Sequence, residues 1–300
     1  MEPDILIHNR KSHRLETEHV YGEKWLDFAY NNPLGKAFLW TIVKRPWFSK
    51  WYGWRMNAKS SAKKIQPFVE KYGLDPSEFR DEISEYRSFN DFFARKLKPT
   101  CRPIPKNENA IIFPADGRHF GYENITTADK VFVKGQKFNL TKLFGSKKEA
   151  ESYFGGTLIL SRLCPTDYHR FHFPVKGILR KHRLINGNLL SVNPIALRKN
   201  LSIFWENKRY LSYVENPELG KVAVFLIGAT CVGTARVTAE PNILHKVGDE
   251  LGYFSFGGSS VITLFQQKKI QLDEDLLKMT KQGYESYARM GDIMADPLFY

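Results

Sequence analysis

The stretch FGGSSVITLF, residues 256–265, sets two glycines and two serines directly before an apolar run. Val261, Ile262 and Thr263 are β-branched, so the run reads as a strand. A turn accounts for Gly257 and Gly258. It does not account for Ser259 and Ser260 at the mouth of that strand. Working outward, GTLILSRL (156–163) and KVAVFLIGATCVGTARV (221–237) share the same β-branched character, and from Ala110 onward short strands alternate with Gly, Pro and Asn.

The first hundred residues read as helical. DPSEFRDEISEY (75–86) opens with Asp75 and Pro76, which suit an N-cap and a first helical position, and carries acids in its first turn. SFNDFFARKLKP (88–99) places Phe89, Phe92, Phe93 and Leu97 at helical spacing and stops at a proline. CRPIP (101–105) marks a boundary, and the tail DEDLLKMTKQGYESYARMG (273–291) reads as a short helix with irregular ends. The expected architecture is α+β: an N-terminal helical layer over residues 1–105, then a mostly antiparallel β domain over residues 106–300.

Composition narrows the partners. The 300 residues carry 45 basic against 32 acidic side chains, a net charge of +13. That favours an anionic partner: nucleic acid, an anionic membrane surface or an acidic ligand. Cys101, Cys164 and Cys231 are odd in number and form no CxxC, which argues against a disulfide scaffold and for a reducing compartment. The N-terminal MEPDILIHNRKSHRLE lacks the apolar core of a signal peptide. AFLWTIV (37–43) falls far short of the roughly 20 residues a spanning helix needs, so the chain is not expected to cross a bilayer.

Between Leu34 and Val69 there are eight Lys or Arg residues and no Asp or Glu, interleaved with Trp40, Trp47, Trp51 and Trp54. Such a mixture suits an interfacial helix, with rings at headgroup level and cations on anionic lipid. The same residues could stack on bases and pair with phosphates, or could form a packed helical layer whose cations are simply solvated.

Four polar motifs stand out in the β half. FPADGRHFG (113–121) puts Asp116 in a turn, and from the residues alone a plain surface turn is the stronger reading. LCPTDYHRFHFP (163–174) brings His169 and His172 together with Asp167, Tyr168 and Arg170. Cys164 and the two histidines match no zinc spacing, so no metal is expected. LSVNPIAL (190–197) and GATCVG (228–233) offer small residues for close backbone approach or for turns. The fourth is the opening stretch. Asp116, His172 and Ser259 could form a relay in which His takes the serine proton and Asp fixes the histidine. A hydrolase is strained by the absence of GxSxG and by a serine that precedes a strand.

Together NDFFARKLK (90–98), PADG, CPTDYHRFH, SVNPIAL, GATCVG and GGSSVITLF resemble the phosphatidylserine decarboxylase family over most of the chain. CPTDYHRFH and the Gly-Ser pair before a Val-Ile strand carry the specificity. Much of the family has Leu-Gly-Ser-Thr where this chain has Gly257-Gly258-Ser259-Ser260, which keeps the Gly-Ser pair. The resemblance implies a proenzyme that cuts itself between Gly258 and Ser259 into a large chain (1–258) and a small one (259–300). Ser259 would become a covalent pyruvoyl group, with Asp116 and His172 as the self-cleavage relay. The pyruvoyl would form a Schiff base with phosphatidylserine and release CO2 to give phosphatidylethanolamine, with His169 matching the histidine of this second stage. It further implies peripheral binding at the cytoplasmic face of the cell membrane through the Trp40–Trp54 segment, self-association, and no role for nucleic acid.

Overall fold

The computed structural model describes residues 5–18, 32, 35, 46–125, 138–229, 235–257 and 259–298. Its centre is the strand Ser259–Phe265, buried along its whole length. It pairs antiparallel with Gly220–Gly228 on one side and Thr157–Leu163 on the other. Alternation sends its side chains to two faces. Ile262 and Leu264 enter one apolar core with Leu143, Phe144, Leu197 and Phe204, from the short helices Leu140–Phe144, Pro194–Lys199 and Ile203–Glu206. Val261 and Phe265 enter a second core with Leu163, Phe171 and Phe254.

Among the described residues this sheet has eleven strands. Beyond Gly220–Gly228 it continues through Arg209–Asn216 and Gly177–Leu179 to Leu244–His245. Beyond Thr157–Leu163 it continues through Gly117–Tyr122 and Glu285–Ala288 to the hairpin Leu6–Asn9 and Arg14–Thr17. Its strand pairs are antiparallel except Leu6–Asn9 with Glu285–Ala288, so the α+β, mostly antiparallel reading holds. A smaller sheet, Arg170–His172, Glu250–Phe254 and Ala235–Val237, packs Phe171 and Phe254 onto the Val261 face of the large one. Ser259 lies on that same face, two residues before Val261.

Two helical readings need correction. Residues 6–17 form a β-hairpin that extends the sheet, turned at His13 with φ 53°. A strand of four residues is too short to show a period, and its pairing partner lies almost 280 positions away in Glu285–Ala288. DPSEFRDEISEY makes only two 3-10 turns, Pro76–Glu78 and Ile83–Glu85. Asp75 does cap, accepting from the Ser77 N–H at 2.8 Å. Phe79 then turns extended to bridge Leu97 and to set its ring edge-on against Phe92, so tertiary packing overrides the cap. The same bridge ends the next helix at Phe93, short of the proline.

The helical layer itself is present in Pro46–Asn57, Ile65–Tyr72 and Phe89–Phe93. Its aromatic cluster holds Phe68, Phe79, Phe89, Phe92 and Phe93, and also Phe256 from the loop before Ser259. Phe256 sits 4.9 Å from Phe93 and 5.0 Å from Phe89 between ring centroids, and its N–H donates to Asn90 Oδ1 at 2.7 Å. The layer therefore holds the loop that leads into the central strand.

This topology makes a prediction about a chain cut before Ser259. The new N-terminus would begin a strand paired over six residues with one neighbour and seven with the other. The two pieces should co-elute in native size exclusion and separate only in denaturant. Dissociation without denaturant would contradict the central placement of this strand.

Candidate active site

Ser259 is the first residue of the central strand, opposite Gly228 and Leu163 in register. It is fully buried, and its Oγ has no hydrogen-bond partner among the described residues. A buried hydroxyl left unpaired costs about 1–3 kcal/mol, so it calls for an explanation. Gly257, two residues before it, has φ 137°, a conformation that residues with a Cβ rarely adopt. Gly258, the expected cleavage partner, lies outside the described residues.

His172 ends the strand Arg170–His172 of the smaller sheet and His169 immediately precedes it. Phe171 enters the core that Val261 lines, so alternation turns its neighbour His172 to the other face, and among the described residues no hydrogen bond joins either imidazole to Ser259. His172 Nδ1 lies 2.9 Å from the Gly248 carbonyl. A carbonyl only accepts, so Nδ1 carries the hydrogen and Nε2 the lone pair. That Nε2 lies 3.4 Å from the Tyr168 hydroxyl, a long contact. Burial lowers the pKa of His172 against the opposing effect of the Gly248 bond. His169 repeats the pattern: Nδ1 lies 3.0 Å from the Asp167 carbonyl, while Nε2 is buried without a partner. Its ring centroid sits 3.8 Å from that of Phe93. Burial takes its pKa down to about 3. Each imidazole thus keeps its Nε2 lone pair as the reactive position.

Asp116 is buried too, but its carboxylate is taken up by other groups. Arg102 reaches Oδ1 through Nε at 2.9 Å and Oδ2 through Nη2 at 2.6 Å, and the Met290 N–H donates to Oδ1 at 2.8 Å. Both imidazole nitrogens of His172 are on other partners. Asp116 acts on His172 through its charge, which raises the histidine's pKa. Arg102 was not marked by the sequence; an arginine in the proline-rich boundary CRPIP gave no sign of burial.

A second buried network lies beside the serine strand. Arg162, in register with Ser260, reaches Glu285 at 2.6 Å and Glu18 at 2.7 Å. Arg118 joins Glu18 and Asp167. Burial alone would raise Glu18, but Arg162 and Arg118 outweigh it and hold the carboxyl at about 2. Cys164 donates to Glu18 at 2.8 Å, and burial drives its thiol pKa well up, so it is no ready thiolate. Arg170 is committed to Glu250 at 2.7 Å and to the Ala94 carbonyl. In LSVNPIAL, Asn193 caps Pro194–Lys199 by accepting from Ile195 N–H, a structural role. Residues 230–233 of GATCVG lie outside the described residues.

Two histidines are held neutral strongly enough to govern acid stability. His169 and His119 both titrate near 3 in the folded chain, against 6.5 for an unburied histidine. Between those limits the unfolded chain binds more protons, so stability is present above 6.5 and is lost as pH falls. Each group contributes up to about 1.4 kcal/mol per pH unit. The urea midpoint should fall steadily as pH is lowered from about 6.5; a midpoint that stays level would contradict the buried neutral histidines.

Known proteins resemble the chain over most of its length. The sequence model of a family described as phosphatidylserine decarboxylase matches residues 89–295. A phosphatidylserine decarboxylase proenzyme of Fusobacterium nucleatum is 44% identical over 283 residues, 94% of either chain. Proenzymes of the same name from Clostridium perfringens and Clostridium novyi are 42% and 43% identical, covering 97% and 96% of this chain and 99% and 98% of their own.

Proposed function

The chain belongs to the phosphatidylserine decarboxylase family, and from that premise we propose that Ser259 is its self-cleavage nucleophile, with His172 as base and Asp116 as orienting charge. The protein is a self-cleaving, pyruvoyl-dependent decarboxylase that converts phosphatidylserine to phosphatidylethanolamine. The observation that carries the residue assignment is the buried, unpartnered Ser259 Oγ behind Gly257 at φ 137°.

In the first stage Ser259 Oγ attacks the carbonyl carbon of Gly258, and its proton passes to His172 Nε2. The peptide C–N bond breaks, the amine takes that proton, and an ester joins Gly258 to the serine oxygen. Loss of the Cα proton then expels the Gly258 carboxylate and leaves dehydroalanine at position 259. Water converts this to the pyruvoyl group with release of ammonia. Ser259 fits that group: it is fully buried at a strand end, with space unclaimed by any hydrogen bond at Oγ. Once formed, the pyruvoyl supplies an electron sink for the pair left by departing CO2.

His169 serves the second stage. Its Nε2 lone pair accepts a proton from the substrate ammonium and returns it to the former α-carbon after CO2 leaves. The helical layer docks on the membrane. On the helix Pro46–Asn57, Trp51 and Trp54 are 45% and 70% exposed, although Trp40 and its neighbours lie outside the described residues. Among the described residues no helix is long and apolar enough to cross a membrane. We assign peripheral attachment at the cytoplasmic face, the helices within residues 46–93 as the attaching region, residues 106–300 together with the hairpin 6–17 as the catalytic domain, and self-association of the enzyme.

The histidine assignment is tested by separating the stages. His172→Ala should remain full length. His169→Ala should cleave fully yet release CO2 from phosphatidylserine vesicles on the order of 10²–10⁴ times more slowly. The reverse pattern would exchange the two roles.

A further inference from the structure

We propose that Arg95 is a positioning residue for decarboxylation: with Phe93 it fixes the orientation and tautomer of His169 through the Asp167 carbonyl. The proposal rests on the reading that His169 serves the second stage.

Arg95 is buried, 4% exposed, and follows directly on the helix Phe89–Phe93. Its Nη2 donates to the Thr166 carbonyl at 3.1 Å and to the Asp167 carbonyl at 3.3 Å. The Asp167 carbonyl is the group that accepts His169 Nδ1–H. One oxygen therefore receives both the guanidinium and the imidazole. A cation on that oxygen holds the peptide in place, and the fixed oxygen holds the hydrogen on Nδ1. Phe93, two residues before Arg95, covers one face of the imidazole. The backbone carbonyl of His169 is held in turn by the Phe254 N–H at 2.9 Å. Ring plane, tautomer and backbone are each set from a different element.

The charge matters as well as the contact. No carboxylate pairs with Arg95 among the described residues; its guanidinium lies over the rings of Phe79 and Phe92, and its Nε and Nη1 are buried without partners. Burial lowers its pKa only to about 10, so it stays a cation. It is the charged group that acts on His169, in the direction that keeps the imidazole neutral. The Asp167 carboxylate is turned away to Arg118 and to the Cys164 N–H. An isolated buried cation is costly to keep. Here it secures an unprotonated Nε2 that can take the substrate's proton.

The test uses full-length protein and two readouts. In the uncleavable Ser259→Ala chain, imidazole nitrogen NMR should show His169 as a single Nδ1–H tautomer that does not titrate between about pH 5 and 8. Adding Arg95→Gln should produce mixed tautomers and a titration that moves up in pH, and Arg95→Lys should restore neutrality without restoring the single tautomer. In the cleavable enzyme, Arg95→Gln should cleave as far as the unsubstituted chain. Its kcat should fall by about 10- to 100-fold with KM nearly constant. An unchanged His169 spectrum in both variants would overturn the proposal, as would loss of cleavage and decarboxylation in parallel. Should Arg95→Gln fail to fold, Arg95→Lys alone decides through the tautomer. If the unsubstituted enzyme cleaved but released no CO2, the function assigned to His169 would fail while the NMR result stood.

Discussion

Ser259→Ala is expected to leave one full-length chain of 34.8 kDa with no decarboxylase activity and a fold at least as stable as before. The loss would be complete because, with Ser259 in the proposed role, the substitution removes both the nucleophile for cleavage and the atom from which the electron sink is made. Few single changes act twice in this way. The stability half of the prediction comes from burial. Among the described residues Ser259 Oγ has no partner, so exchanging it for a methyl hydrogen removes an unsatisfied polar atom and opens no sizeable cavity. The expected gain is about 1 kcal/mol, read from the urea midpoint. A variant that is inactive and destabilised would mean that Oγ does structural service instead.

Asp116→Asn should slow self-cleavage by on the order of 10³ and cost about 3–5 kcal/mol. The two effects have different origins. The first is loss of the negative charge that favours the protonated form of His172 while the serine proton is in transit. The second arises because Arg102, 8% exposed, keeps its charge after its main partner is gone and, among the described residues, retains Glu78 at 3.2 Å and the Cys101 carbonyl at 2.8 Å. Breaking one half of a buried ion pair is far worse than removing both halves. The double variant Asp116→Asn with Arg102→Gln should therefore recover much of the stability and none of the cleavage rate. Recovery of both would reduce Asp116 to a structural ion-pair partner, and cleavage measured on a gel beside the urea midpoint separates these outcomes.

The sequence was most legible where the physics is local. The central strand shows itself as a continuous apolar run because both its faces are buried, and Asp75 was readable as a cap because capping depends on neighbours two or three residues away. Legibility fell where partners are distant. The strand Leu6–Asn9 exists through pairing with Glu285–Ala288, and Phe79 abandons a helix for Leu97. The site followed the same rule. Ser259, His169 and His172 stood out because their residue types and short-range spacing are unusual, whereas Asp116, in a turn of ordinary type, was picked out by the family resemblance. Arg102, Arg95 and Arg162 did not, since nothing in a basic chain marks three of its 45 cations as buried. Their importance comes from carbonyls and carboxylates that only the fold brings near.

The most direct measurement is the intact mass of the purified chain under denaturing conditions. Two species are expected, residues 1–258 and a fragment starting at position 259 whose first residue is lighter than serine and carries a ketone that borohydride reduces. A single chain with an ordinary serine at position 259, under conditions in which the protein is folded, would contradict self-cleavage.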